Sequence, residues 1–364
     1  IGPLTLTGTF LKKKKDKIQK TPVDLVFSKK SYLLQLKHNY KQSLLFGKNY
    51  GYRSSLNKSM KFHLKRKSEL LTKVLNLKKG DKILDIGSND GTFLNCFAKK
   101  NLKYGVDPTA KKFKKHYHND IKVKGSLFKK NLFNNKIKFK LITSIAMFYD
   151  LSDPKKFCKI VGEYLEPEGI FHVEIAYLPD ILRKFSFDTF CQEHLTYYSF
   201  LSFKYLIDQT AFKIIDFSRN SINGGSINFN LAFKDSKWIP KQKKINQILY
   251  NEKKHKIHKF ITYKNYFKKI LSNSNKIHTL LQNLKNKNNK IYAFGASTKG
   301  NVILQMCKLD DHIISGVYDV NPYKFGRFTP GSKIIIKNEK EIHKDKPDYI
   351  FLLIWHFKKT LKTK

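Results

Sequence analysis

The stretch KILDIGSNDGTFLNCF, residues 82–97, decides the fold of this 364-residue chain. Ile83 and Ile86 belong to a short apolar run of the kind found in buried parallel strands, and Gly87 ends that run. Gly87 and Gly91 allow the backbone to turn sharply and to approach a ligand closely. The residues after Gly91 begin a helical apolar face. The stretch therefore predicts a strand, a glycine turn and a helix, the arrangement at which open α/β sheets bind nucleotides.

The glycine spacing distinguishes between three kinds of nucleotide-binding turn. A phosphate loop needs GxxxxGK[ST] and a dinucleotide fingerprint needs GxGxxG, and G-S-N-D-G matches neither pattern. It resembles the DxGxxxG turn of class I S-adenosylmethionine (SAM) methyltransferases, with Asp85 in first place. About twenty residues later a second apolar run ends in Asp107, whose carboxylate suits the two ribose hydroxyls. The alternative is that Asp107 only caps the helix beginning near Pro108.

The charge of the chain is extreme. There are 72 basic and 28 acidic side chains, and a net charge of +44 suggests nucleic acid or an acidic membrane as a partner. Only five of the basic residues are arginine, although arginine is the side chain best suited to phosphates and guanine. We interpret the charge as a general lysine bias, and we expect no specific nucleic-acid site. The same bias favours a diphosphate substrate.

The remaining composition bounds the class of protein. With 41% hydrophobic residues the chain is globular, and its four cysteines form no CxxC pair, which argues against both a disulfide framework and a four-cysteine zinc site. No apolar run approaches the roughly 18 residues of a membrane span, and no signal-peptide pattern opens the chain. We therefore expect a cytoplasmic monomer without a membrane partner.

A second polar stretch, FDTFCQEHLTYYSF, occupies residues 187–200. It places Glu193 beside His194, and a carboxylate next to an imidazole is typical of a tuned general base. Neighbouring residues do not face each other on a helix, so Glu193 is better suited to binding something else unless the segment is irregular. The alternative is a helix-capping cluster with His194 in the core.

Three further segments bear on a site. Residues 146–150 follow a strand and should lie near the cofactor, because the carboxyl ends of parallel strands meet at one edge. Tyr50 and Tyr52 stand in a turn-rich piece that either lines a pocket or packs on the surface. The turn at residues 295–300, GASTKG, offers amides, hydroxyls and an ammonium at a helix N-terminus, which suits an anion, although an ordinary βα turn remains open. Residues 239–288 read as an exposed helical bridge, or alternatively as a membrane-surface helix.

Together these segments resemble the SAM-dependent sugar C-methyltransferases, typified by enzymes that methylate C3 of nucleotide-linked 4-keto-deoxyhexoses. The motifs that carry the resemblance span nearly the whole chain, and they are NYGYRSSLN (49–57), LDIGSNDGTFL (84–94), GVDPT (105–109), SIAMFYDL (144–151), FDTFCQEHLTYYS (187–199), NGGS (223–226), FGASTKGN (294–301) and WHF (355–357).

The resemblance implies an α/β fold with a class I, Rossmann-like SAM methyltransferase domain, a second C-terminal Rossmann-like α/β domain and a small irregular N-terminal module. The expected divisions are a degenerate zinc-ribbon-like module (1–60), the methyltransferase domain (61–235), a helical bridge (236–288) and a substrate-binding domain (289–364). The last domain is expected to be truncated, since the chain ends before the family's final strand and helix.

The resemblance also implies roles for individual residues. SAM would be held by Asp85, Gly87, Ser88, Asn89, Asp90, Gly91, Asp107, Ala146, Met147 and Phe148. His194 would be the base or its close partner, Glu193 would hold the sugar, and Tyr50 or Tyr52 would reach over the site. A nucleotide-sugar substrate would contact Tyr197, Asn223, Ser297, Thr298, Lys299 and Asn301.

The chain departs from the family pattern in two places. Ser28 and Ser31 replace the cysteines of the family's zinc-binding module, so zinc is not expected. Cys191 and Gln192 replace a tyrosine and a histidine that some members have, which points to the loss of a proton-relay partner, although cysteine at the first position also occurs in relatives. The expected reaction is C-methylation of a keto sugar through an enolate. The alternatives are a non-catalytic paralogue that binds a nucleotide sugar and a basic nucleic-acid-binding protein on a methyltransferase scaffold.

Overall fold

The N-terminal part of the chain forms two small antiparallel ribbons. The computed structural model describes residues 2–40, 45, 52–134 and 136–357. Strands β1 (Pro3–Thr5) and β2 (Lys20–Pro22) pair with each other, as do β3 (Leu25–Phe27) and β4 (Leu34–Leu36). In the β3–β4 turn the Ser28 hydroxyl accepts a hydrogen bond from the Ser31 amide. Within these described ranges, no group of three or more His, Cys, Asp or Glu side chains is placed to hold a metal ion.

A seven-stranded sheet forms the centre of the molecule. Its strands are β5 (Lys82–Ile86), β6 (Leu102–Val106), β7 (Ile121–Lys124), β8 (Phe139–Ile145), β9 (Leu165–Ala176), β11 (Phe212–Asn220) and β12 (Ser226–Phe233), in the spatial order β11-β12-β9-β8-β5-β6-β7. Neighbours are parallel except for β12, which runs antiparallel to β9 and β11. Residues 83–86 of β5 are all buried, which explains the unbroken apolar run in the sequence. The two-residue strand β10 (Thr196–Tyr197) pairs with β4 instead.

Helices cover both faces of this sheet, and their ends follow local capping chemistry. They are α1 (Lys58–Leu75), α2 (Ala110–Phe113), α3 (Pro154–Tyr164), α4 (Leu178–Lys184) and α5 (Phe200–Ile207). The Asn57 side chain caps α1 by accepting from two amides, and Asp153 caps α3 ahead of a proline. The helix predicted after the glycine turn was wrong in length: only one 3-10 turn forms, Leu94–Cys96. Because β6 begins at Leu102, the connection is too short for a longer helix.

The last part of the chain builds a second α/β unit. Two helices, α6 (Gln242–Lys254) and α7 (Phe260–Asn286), lead into β13 (Ile291–Phe294), α8 (Thr298–Met306), β14 (Val317–Asp319), β15 (Ile336–Asn338), α9 (Ile342–Asp345) and β16 (Tyr349–Leu352). The four strands form a parallel sheet in the order β15-β14-β13-β16. The fold is therefore α/β with two Rossmann-like sheets, as the sequence predicted.

The long helix α7 differs from the exposed bridge that we expected. It buries Tyr263, Tyr266 and Ile270, which join one apolar core with residues of the N-terminal ribbons, of the 187–197 stretch and of the C-terminal sheet. The lysine and asparagine content of this helix hid that apolar face in the sequence. Within the described residues, the helices include none with a stretch apolar and long enough to cross a bilayer.

A buried carboxylate fixes the start of α5. Glu252 is only 3% exposed and comes from α6. Its carboxylate accepts hydrogen bonds from the amides of Phe200 and Leu201, at 2.6 and 2.8 Å, and from the Tyr177 hydroxyl at 2.7 Å. Negative charge at the first turn of a helix satisfies amides that have no partner within the helix.

We expect Glu252→Ala to lower the free energy of unfolding by about 3 kcal/mol, since it leaves two buried amides and one hydroxyl unpaired. Urea denaturation followed by fluorescence measures this. Glu69→Ala, at an exposed glutamate of α1, is the control and should change stability by less than about 0.5 kcal/mol. Equal stability of the two variants would contradict the capping role.

Candidate active site

A cavity of about 550 Å³ opens where the strands of the central sheet end. The segments that follow β5, β6, β7 and β8 line it, together with Glu174 near the end of β9 and with Tyr52, Ser54 and Asn223 from outside the sheet. Tyr52 is 47% exposed. Tyr50, which we also predicted to reach over the site, lies outside the described residues. The cavity is therefore at the edge that the alternation of strands and turns indicated.

The glycine turn forms the floor of the cavity. Gly87 has a φ of 81° and packs on Met147, whose Cβ would be 3.2 Å from any Cβ placed on Gly87. Gly91 has a φ of 77°, and a Cβ there would lie 2.6 Å from the Tyr117 ring. Both positions thus require glycine for conformation and for space. Asn89 between them also adopts a left-handed conformation, with a φ of 49°.

Side chains from two other segments hold this turn. The Tyr117 hydroxyl donates to the Asn89 carbonyl and lies 2.8 Å from the Ser88 hydroxyl. From the other side, the amides of Ser54 and Ser55 donate to the side chains of Asn89 and Asp90, respectively. Asp90 is only 1% exposed and does not line the cavity, so its place in the turn is structural. Sequence analysis did not identify Tyr117, which lies in a lysine-rich stretch.

Two acidic side chains reach the cavity from neighbouring strands. The Asp107 carboxylate accepts hydrogen bonds from the Asn89 amide at 2.9 Å and from the Thr109 amide at 2.6 Å. A carboxylate accepts about four hydrogen bonds, so Asp107 keeps capacity for ribose hydroxyls. Asp85 accepts from the Thr143 hydroxyl at 2.6 Å, and burial raises its pKa to about 7. Apolar side chains, including Leu127 and Phe128, form the opposite wall. Apolar walls with a carboxylate suit a nucleoside such as that of SAM.

The residues after β8 divide between the cavity and the core. Ala146 and Met147 line the cavity, and Ala146 has a φ of 55°, an uncommon value for a residue with a Cβ. Phe148, predicted to contact the cofactor, instead is fully buried among Phe157 and Phe203. The 3-10 turn Phe148–Asp150 directs its ring away from the cavity. Uncommon backbone conformations such as that of Ala146 cluster at functional sites.

A buried ion pair includes Glu174 on the wall of the cavity. Glu174, 2% exposed, lies 2.6 Å from the Lys67 ammonium and 3.0 Å from Nε2 of His63. Lys67 also contacts Nε2 of His172, at 3.1 Å. Burial alone would raise the pKa of Glu174, but Lys67 and His63 hold it down to about 2. Burial and Lys67 lower the pKa of His172 to about 3. Glu174 is therefore an anion and His172 is neutral at pH 7.

His194 lies next to the cavity with one ring nitrogen engaged. Its Nδ1 donates to the Thr189 carbonyl at 2.7 Å, and its ring packs edge-on against Tyr149, with 4.7 Å between the ring centroids. Within the described chain, Nε2 has no hydrogen-bond partner. Burial and, to a smaller extent, the Lys299 ammonium lower the pKa of His194 to about 4, although the hydrogen bond to the Thr189 carbonyl opposes them. The imidazole is thus neutral at pH 7, with the lone pair of Nε2 available.

Glu193 does not orient His194; it contacts the N-terminal arm, which we define as residues 2–11. Its carboxyl group accepts from the Thr7 hydroxyl at 3.2 Å. A Cβ on Gly8 would lie 2.8 Å from Oε1 of Glu193, so glycine is required for the arm to pass. Asn301, at the start of α8, donates to the Thr7 carbonyl at 2.7 Å. Burial raises the pKa of Glu193.

The residues predicted to bind substrate lie near the contacts between Glu193, the N-terminal arm and α8. Lys299 donates to the Asn223 carbonyl at 2.9 Å, which links α8 to a residue lining the cavity. The Ser297 hydroxyl caps α8 through the Gly300 amide. Thr298 lies beside Gly8, and Asn301 is fully buried because it holds the arm. Tyr197 is 3% exposed, and its hydroxyl is buried without a hydrogen-bond partner among the described residues.

Comparison with known proteins agrees with this arrangement. Residues 58–216 match a family model described as a methyltransferase domain, and residues 221–364 match one described as a C-methyltransferase C-terminal domain. These matches show an enzyme of the SAM-dependent methyltransferase type and support C-methyltransferase activity. The chain is 26% identical to C-methyltransferase NovU of Streptomyces niveus, in an alignment covering 98% of this chain and 86% of that protein.

Solved structures of methyltransferases are similar to the central part of this chain. A putative methyltransferase of Bacillus halodurans C-125 has 12% sequence identity and a TM-score of 0.38, over 46% of this chain and 99% of that one. A SAM-dependent methyltransferase of Clostridium acetobutylicum ATCC 824 has 15% identity and a TM-score of 0.37, over 47% and 90% of the two chains.

The ion pair predicts how stability depends on pH. Because the pKa of Glu174 falls from 4.5 to about 2 on folding, its stabilisation is complete above pH 4.5 and disappears as the pH falls to 2. This amounts to about 3 kcal/mol. Between these pH values the wild-type enzyme should therefore lose about 3 kcal/mol more stability than Glu174→Gln, as measured by urea denaturation. Parallel stability curves would show that Lys67 does not hold the carboxylate ionised.

Asp107→Ala should weaken SAM binding by about ten- to a hundredfold, because it removes a charged acceptor and releases the Asn89 amide. Calorimetric titration with SAM and with S-adenosylhomocysteine measures the loss. Asp235→Ala, at an exposed aspartate, is the control. Unchanged affinity in a folded Asp107→Ala chain would exclude this carboxylate from the cofactor site.

Proposed function

We propose that the enzyme transfers a methyl group from SAM to a carbon next to a ketone in a nucleotide-activated deoxysugar, with His194 as the general base. The observation that carries the proposal is the state of His194, which is neutral, held through Nδ1 and packed on Tyr149, the residue before the cavity-lining Asp150. The resemblance of the quoted motifs to sugar C-methyltransferases supports the choice of substrate, and the family models support transfer to carbon.

A hydrogen on a carbon next to a ketone is acidic enough for an imidazole to remove when the resulting enolate is stabilised. Nε2 of His194 takes that proton, and the Thr189 carbonyl then holds the charged ring through Nδ1–H. SAM supplies an electrophilic methyl group when it is bound. In the proposed site, Asp107 binds the ribose, and the glycine turn and Met147 position the cofactor.

Lys299 connects substrate binding to the strength of the base. Its ammonium lowers the pKa of His194. A diphosphate bound at the start of α8 would neutralise that ammonium and so raise the basicity of the ring. The base would then be strongest when the substrate is present. Glu193 and Tyr197 lie beside His194 and are proposed to contact the sugar, with Tyr52 closing the cavity.

His194→Ala should lower turnover by at least a thousandfold and leave the affinity for SAM within a few fold, because the ring touches the substrate and not the cofactor. Methylated product is measured by mass spectrometry with SAM and a panel of dTDP-linked 4-keto-deoxyhexoses. His255→Ala, at an exposed histidine, is the matched control. Turnover that survives in His194→Ala would reject this residue as the base.

A further inference from the structure

Asp150 is a buried carboxyl group that the site described so far does not use. It ends the 3-10 turn after β8, lines the cavity and is only 9% exposed. Its Oδ1 is fully buried and has no hydrogen-bond partner within the described residues. Buried polar atoms are nearly always paired, and an unpaired one is destabilising. Because the residue lines the cavity while its carboxyl group is left without a full set of partners, a ligand in the cavity is a candidate to supply one.

The surroundings of Asp150 favour the neutral form of its carboxyl group. Glu193, Cys191 and Tyr197 interact with it from the 187–200 stretch, and none of them is a cation. Burial, and after it the Glu193 carboxylate, raises the pKa of Asp150 well above its usual value. In its neutral form a carboxyl group carries a hydrogen and donates hydrogen bonds.

Asp150 is also close to the proposed base. The His194 ring packs on Tyr149, which immediately precedes Asp150 in the chain. The Tyr149 carbonyl accepts from the Thr196 hydroxyl at 3.1 Å, which fixes this turn against the stretch that carries His194. These contacts bring the backbone of Asp150 and the segment that carries His194 together at one side of the cavity.

Resting on the proposed function, we propose that Asp150 is a further catalytic residue whose carboxyl group donates a hydrogen bond to the ketone oxygen of the acceptor while that oxygen gains negative charge. His194 removes the hydrogen from the neighbouring carbon, and the C–H electrons form a C=C bond as the C=O electrons move to oxygen. The carbon then attacks the methyl group, the methyl–sulfur bond breaks with its electrons going to sulfur, and the C=O bond re-forms. The removed proton stays on His194 until it passes to solvent.

The other carboxyl groups at the cavity are less suited to this task. Glu174 is ionised by Lys67, so it would repel the developing charge. Asp107 is assigned to the ribose in the proposed site, and Asp85 accepts from the Thr143 hydroxyl. Among these four side chains, Asp150 alone combines a buried oxygen lacking a partner in the described chain with surroundings that favour the neutral form.

Asp150→Asn and Asp150→Ala test the proposal together, since the amide keeps a donor of the same shape and alanine removes it. The first readout is methyl transfer to dTDP-4-keto-6-deoxyglucose and its relatives. The second is the exchange of the sugar hydrogens next to the ketone with deuterium, which NMR monitors in the presence of S-adenosylhomocysteine. Asp150→Ala should lower kcat and the exchange rate by about a hundredfold or more, as loss of one oxyanion donor does elsewhere. Asp150→Asn should stay within about tenfold of wild type, and both should bind SAM as wild type does.

The outcomes separate this inference from the proposed function. If the wild-type enzyme exchanges and methylates a sugar and Asp150→Ala does so at the same rates, the role of Asp150 is overturned and the proposed function stands. Equal loss in Asp150→Asn and Asp150→Ala would also overturn it, because an ionised carboxylate would then be required. If the wild-type enzyme binds SAM yet neither methylates nor exchanges any of these sugars, the proposed function fails and this inference fails with it.

Discussion

The part of the site around His194 and Lys299 depends on the hydrogen bonds of Thr7. One small residue on the N-terminal arm donates to Glu193 and accepts from Asn301, and so it ties the stretch that carries His194 to the first turn of α8. Gly8 lets the arm pass at this point because any side chain would strike Glu193. The apolar core around α7 packs against residues of the same three chain segments. The His194 ring and the Lys299 ammonium are therefore held in one site although they come from different α/β units.

Buried carboxyl groups at or beside the cavity differ in whether they are ionised. Glu174 is ionised because an ammonium and an imidazole sit within hydrogen-bond distance. Asp150 has no such partner, and burial together with the neighbouring Glu193 carboxylate favours its neutral form. The same side-chain chemistry thus gives an anion on one wall and a donor on another. A reaction that starts from a neutral ketone and passes through an enolate needs this separation, since an anion beside the ketone oxygen would oppose it.

The sequence predicted those parts of the molecule that depend on local pattern. The apolar run and glycines of residues 82–91 predicted the strand, the turn and the place of the cavity, because period and turn chemistry are properties of neighbouring residues. The failures all concern direction or distance. Met147 and Phe148 are adjacent, yet a 3-10 turn sends one into the cavity and the other into the core. Lys67 and Glu174, or Thr7 and Glu193, are more than a hundred residues apart, and no spacing rule brings them together. The sequence indicated that Glu193 binds something other than His194, but it gave no sign that the partner would be the N-terminal arm.

The N-terminal arm also reaches beyond the site into the C-terminal unit. Thr5 exchanges two hydrogen bonds with the Gln305 side chain, and Leu11 pairs with Phe328 through both backbone groups. The first residues of the chain are thus a structural part of its last unit, with the methyltransferase sheet inserted between them. Exchange of C-terminal units between relatives by recombination at one point would separate the arm from its partner. Transfer of this unit with its contacts intact requires two crossover points, one on each side of the central sheet, or co-adaptation of the arm afterwards.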